Sequence, residues 1–185
     1  MLSRLRPVVD RLKVFRGGGI YAVALVAIPE ALLAELRRRG VDVESWIVDV
    51  LAKALQLDPK TSAVAHMELA ERHLEEGKAL ADRDPVQASE ALYKAAEETV
   101  KALAICLGLD VVEKVETRGR WTAAELDRSA RDAASRLGSW LLDAWDHAWA
   151  LHVWGFHEAK LDSDSVKARM PHIARLVEEA KKACA

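Results

Sequence analysis

From residue 29 to the C-terminus, apolar residues recur every third or fourth position among Glu, Lys and Arg, the period of helices that each bury one face. Pro29 is placed to open a helix through "EALLAELRRRG", which Gly40 ends. Asp42 can cap a second helix, "VESWIVDVLAKALQL", that stops before Asp58 and Pro59. A long amphipathic segment runs on to about Arg83, after which Asp84 and Pro85 supply the cap and first position of a helix reaching about Leu107. On that helix Leu92, Ala96, Val100, Leu103 and Leu107 form a stripe, and Ala88, Ala91 and Ala95 beside it permit close approach of a neighbour, so two long antiparallel helices are expected. The stretch "GLDVVEKVETRGRW" reads as an irregular loop of the kind that borders sites. Thr122 starts a further helix, Gly138 breaks it, and "SDSV" at 163–166 opens the last one.

One stretch lacks the helical period. "IYAVALVAI", residues 20–28, is apolar on both alternating faces and reads as a short strand or buried run. A strand, a Pro-led helix, a Gly turn and a second helix are the layout of ribbon-helix-helix DNA-binding proteins. In that layout one strand face must offer donors and acceptors to base edges. Here the faces carry Tyr21, Val23, Leu25 and Ala27, or Ile20, Ala22, Ala24 and Val26, with a single phenolic hydroxyl between them, which argues against DNA contact and for a helical pair docked on a bundle or used in dimerisation. The chain is therefore read as all-α. An N-terminal appendage over residues 1–57 comprises a basic segment, the apolar run and two short helices, and an antiparallel helical bundle occupies 58–185.

Composition adds bounds. At 185 residues and 51% hydrophobic content the chain can bury a proper core. Its net charge of −2 lacks the excess expected of a general nucleic-acid binder, although residues 1–20 set Arg4, Arg6, Arg11, Lys13 and Arg16 against Asp10 alone. The two cysteines, Cys106 and Cys184, cannot make a disulfide framework and lack metal-ligand spacing, which fits a reducing cytoplasm. The longest apolar run has nine residues, well short of the ~20 that cross a bilayer, so no membrane partner is expected.

Candidate chemistry concentrates in "AWALHVWGFHEAKLD", residues 148–162. At about 100° per residue, Trp145, Trp149, His152 and Phe156 share a core stripe, while Asp143, His147, Ala150, Trp154, His157 and Leu161 share the opposite side. Asp143 and His147, four apart, can pair and favour the imidazolium. His152 reads as a hydrogen-bonded core histidine and His157 as the residue suited to proton transfer. Sharper chemistries fail on spacing. "HEAKL" has Leu161 where a zinc-protease helix needs its second histidine, and His66 and His73 read as surface or half-buried residues without a third ligand. Gly17 to Gly19 lack the Lys-Ser/Thr of a phosphate loop and read as a joint, and no serine or cysteine has a nucleophile's setting. No metal and no cofactor are expected.

The segments "LDPKTSAVAHMELAERHLEEGKAL", "DPVQASEALYKAAEETVKALA", "RGRWTAAELD" and "LHVWGFHEAKLDSDSVK" together resemble the archaeal PaREP family, over about residues 28 to 183. That family is in turn similar to the HEPN superfamily, whose members are helical bundles that often dimerise and include RNA-cutting toxins and nucleotide-binding partners of nucleotidyltransferases. The resemblance implies a HEPN-like bundle, a homodimer, and RNA, a nucleotide or a partner protein as ligand. Active HEPN ribonucleases carry an arginine, a polar residue, four to six further residues and a histidine. Counting back from His157 meets Trp149, Ala150 and Leu151, and from His152 meets Ala144, Trp145 and Asp146, with no arginine in either window. The first expectation is thus a non-catalytic nucleotide- or RNA-binding module, in a toxin-antitoxin-like or nucleotidyltransferase pair, with Trp154 stacking a base and His157, Arg118 and Arg120 contacting phosphate. A structural homodimer with Trp154 and His157 in its interface, and a divergent ribonuclease acting through His157, are the alternatives.

Overall fold

The computed structural model describes residues 16–17, 19–20, 27–40 and 42–185. Most of the apolar run expected as a strand, and nearly all of the basic N-terminal segment, lie outside the described residues. The chain divides into two compact units, Met1–Asp42 and Val43–Ala185. In the first, Arg16–Gly17 and Gly19–Ile20 form a two-residue antiparallel ladder, and α1 covers Glu30–Arg38 after Pro29.

The second unit is an antiparallel bundle of α2 (Val43–Ala54), α3 (Pro59–Leu80), α4 (Pro85–Cys106), α5 (Val111–Arg118), α6 (Ala123–Leu137), α7 (Trp140–Ala150) and α8 (Ser163–Ala183). α2 lies within this unit, whereas the sequence grouped it with the residues before it. The protein is all-α, as the helical period requires. Its helix starts are set by local chemistry: the Asp58, Asp84 and Asp162 carboxylates accept from the backbone N–H of Thr61, Gln87 and Ser165, and Thr122 and Glu125 cap α6 reciprocally. Among the described residues no helix is long and apolar enough to cross a membrane.

α3 and α4 form the central hairpin. They cross closely because Gly77 lies against Leu92, where an added Cβ would sit 2.6 Å from the leucine Cγ. The α4 stripe of Leu92, Ala96, Val100 and Leu103 is fully buried against Met67, Leu74, Ala130, Leu141, Trp145, Leu151, Ile173 and Leu176. The stretch 108–121 is not the irregular loop that the sequence suggested, since Val111–Arg118 within it folds as α5. Val111 and Val115, one turn apart, bury with Ala104 and Leu109 in a small satellite core, and that tertiary contact outweighs the weak helix propensity of β-branched residues.

Two features of this unit were not expected. First, Cys106 at the end of α4 and Cys184 just after α8 are joined by a disulfide, so the pair closes a loop across a separation of 78 residues. Second, His66 and His73 are buried, not superficial. His66 Nδ1 lies 2.7 Å from Glu98 and its Nε2 3.3 Å from Asp49, while the Lys101 ammonium donates to Glu98, Glu97 and the Ser45 hydroxyl at 2.8, 2.6 and 2.6 Å. This ionic network ties α2 to α3 and α4.

Burial alone would lower the His66 pKa, but the hydrogen bonds and charges of Asp49 and Glu98 outweigh it and raise the value from 6.5 to about 9. A histidine that holds its proton more tightly when folded stabilises the fold fully below 6.5, and that contribution is lost as pH rises through 9. It amounts to about 3 kcal/mol. Denaturant titrations near pH 6 and near pH 10 are therefore expected to show the wild type losing about that much more stability than His66→Gln. Equal losses in the two proteins would contradict this.

Candidate functional site

α7 does not continue as an α-helix. From Leu151 to His157 the backbone winds as a π turn, with the Glu158 N–H donating to Val153 O, five residues back, at 3.0 Å. Leu151 and Gly155 face the bundle, and Gly155 presses so closely on Ser89 that an added Cβ would sit 2.2 Å from the serine Oγ. Only glycine permits that approach of the turn to α4.

The wider winding changes which side chains meet. On an α-helix His152 and His157 would point to different stripes, which is how the sequence reads. In the π turn, residues five apart are neighbours, and the two Nε2 atoms stand 3.1 Å apart. His152 is half-buried, stacked on Tyr93 at 4.0 Å and Trp149 at 5.5 Å, and its Nδ1 lies 3.2 Å from the Glu90 carboxylate. With Nδ1–H donating to Glu90, the neutral ring presents a bare Nε2 lone pair to His157. His157, Val153 and Trp154 are exposed, Trp154 by 51%.

A second cluster lies where α7 packs on α8. The His147 and His172 rings are 3.8 Å apart, and the Arg175 guanidinium sits 4.6 Å over the Trp140 ring. Arg169, one turn before His172, donates from Nη1 to Ser165 O, while its Nε–H has no hydrogen-bond partner. Among the described residues, Arg169, His172 and Arg175 make no ion pair with a carboxylate. Burial, followed by the charges of His172 and Arg169, lowers the His147 pKa, against the opposing pull of Asp143 and Asp146. The expected Asp143–His147 pair, favouring the imidazolium, is therefore not the arrangement found: the ring turns to α8 and is biased to the neutral form. The sequence signal for this cluster was available. Arg169, His172 and Arg175 recur every third residue on a helix, and Arg169 and His172 have no acidic residue three or four positions away.

Arg118 and Arg120 are not brought to His157. Arg118 ion-pairs with Glu125 and donates to the Arg120 carbonyl oxygen at 2.7 Å, so its charge supports the cap of α6. The Arg118 guanidinium hydrogen-bonded to Glu125, more than burial opposes, holds the Glu125 carboxyl below its ordinary range. Ser45 and Lys101 superficially form a nucleophile and base. Burial would release the Lys101 proton, but Glu97 and Glu98 outweigh it and raise its pKa, so the amine stays charged and cannot accept the serine proton. Among the described residues, no three His, Cys, Asp or Glu side chains group as a metal site. A surface depression of about 460 Å³ beside the disulfide is walled by Asp58 and Lys60 at the start of α3 and by the C-terminal residues.

The model of the Archaeal PaREP1/PaREP8 family matches residues 65–177. The fold is similar to the crystal structure of a Sulfolobus solfataricus protein, with 35% sequence identity and a TM-score of 0.58 over 63% of this chain and 96% of that one. A solution structure of the same structural-genomics target is 36% identical, with a TM-score of 0.53 over 60% of this chain and 87% of that one. No curated protein matches the chain.

Proposed function

The chain belongs to the archaeal PaREP1/PaREP8 family, and from that premise we propose that it binds phosphate-bearing ligands, single-stranded RNA or nucleotides, on the α7–α8 face without cleaving them. The observation that carries this reading is the row of Arg169, His172 and Arg175, two guanidiniums flanking an imidazole and none with a carboxylate partner, beside His147 and Trp140. Two guanidiniums without a counter-charge on one helix face attract an anionic ligand. Trp154, half exposed on the π turn that follows α7, offers a stacking surface to an extended strand. Cleavage is left out of the proposal because His157 has His152, not an arginine, as its polar partner, and a phosphorane-like charge would find no cation beside it.

Gel retardation with a single-stranded RNA tests this. Wild-type protein is expected to retard the RNA, Arg169→Ala and Arg175→Ala each to weaken binding about tenfold, and log K to fall with log salt at a slope of about −2 for three contacts. An anion beside His147 would raise its depressed pKa, so binding takes up a proton and tightens as pH falls through the histidine range, a dependence that His147→Gln flattens. No retardation at low salt, or retardation indifferent to both arginines, would sink the reading. The exposed apolar pair Val153 and Trp154 favours a second reading, a contact with a partner protein or a second copy of the chain, which predicts that Trp154→Asp changes sedimentation and leaves RNA binding intact.

A further inference from the structure

We propose that His152 and His157 form a two-histidine site for a divalent transition-metal ion, with Glu90 as the carboxylate that orients His152. This assignment is independent of RNA binding.

The argument begins with the π turn. It places two imidazole Nε2 atoms 3.1 Å apart on one rigid element. Nitrogens that bind one zinc ion at about 2.0–2.1 Å stand about 3 Å from each other when the angle at the metal lies between square and tetrahedral values. The pair is therefore already at the spacing that a shared ion requires, and only a small opening of the exposed His157 ring admits it.

The orientation of His152 is the second element. Its Nδ1 is held by Glu90 at 3.2 Å, and Tyr93 and Trp149 stack on its ring. A carboxylate on the far nitrogen of a histidine fixes the tautomer that leaves Nε2 unprotonated and makes that nitrogen a better donor to a metal. Glu90 is itself largely covered, with its side chain 18% exposed, so the arrangement is built into the contact between α4 and the turn. His157 carries no such constraint, and its exposure leaves the remaining coordination positions to water or to a ligand from solution. Borderline and soft divalent ions that prefer imidazole, namely zinc, nickel and copper, suit this donor set, whereas magnesium and calcium, which prefer oxygen, do not.

The other close histidine pair on the molecule lacks these properties. The His147 and His172 rings lie 3.8 Å apart, tilted by 36°, beside Arg169, whose charge repels a cation.

Calorimetric titration of the metal-stripped full chain with zinc alone is the test. One ion per chain is expected, with affinity weakened about tenfold or more in His157→Ala, an exposed position where folding is not at stake, and by a similar factor in Glu90→Gln. Circular dichroism of each variant checks the fold. Absence of zinc binding by wild type, or undiminished binding by folded His157→Ala, would overturn the assignment, and loss of binding in His172→Ala alone would move the ion to the α7–α8 pair with the same consequence.

Discussion

Glu98→Gln is expected to destabilise the folded chain by about 3–5 kcal/mol, seen as a large fall in the urea midpoint with little change in slope. Glu98 is 2% exposed and accepts from both His66 and Lys101, so its removal leaves two buried cations with weaker compensation. Burial would push its carboxyl up, but Lys101 and His66 hold it far below the ordinary carboxylate range. The energetics of such networks are asymmetric. The assembled set need not stabilise more than a well-packed apolar one, yet breaking it exposes each remaining charge to its full desolvation cost. Glu97→Gln, at a side chain 20% exposed, is expected to cost much less because water can replace the lost contact. Equal small effects from both substitutions would show that the network is not sealed from solvent.

Reduction of the Cys106–Cys184 disulfide is expected to lower stability by about 4–5 kcal/mol, because the bond closes a loop of nearly half the chain and its loss restores that freedom to the unfolded state. A denaturant titration with and without a phosphine reductant should show the shift in wild type and none in Cys184→Ser, which should match reduced wild type. An unchanged midpoint on reduction would contradict the bond's contribution. The bond ties the end of α8 to α4, and α8 carries the Arg169, His172 and Arg175 row, so the same fastening keeps that face in register with α7.

The helices were legible wherever the determinant is local. Asp58 with Pro59, Asp84 with Pro85, Thr122 with Glu125, and the Gly138 break all act within one turn of the chain, and the α4 stripe follows from its period. The misreadings share another cause: the determinant is tertiary. Val111 and Val115 bury their side chains against Ala104 and Leu109, a contact that no local pattern announces. His66 reads as a surface or half-buried residue because nothing local to α3 reveals that Asp49 and Glu98 meet it from α2 and α4. Two cysteines at this separation give no hint of pairing. At the candidate site the error was geometric. A fixed angle of about 100° per residue separates His152 from His157, and only the π turn, allowed by Gly155 against Ser89, reunites them.

The most direct test of the account is a nuclear magnetic resonance titration of isotopically labelled protein with a short single-stranded RNA. The account predicts that the indole N–H of Trp140, the amides from Arg169 to Arg175 and the His147 and His172 ring protons shift together and saturate with one affinity. Shifts confined to other elements, or none at a concentration that retards the RNA on a gel, would contradict it.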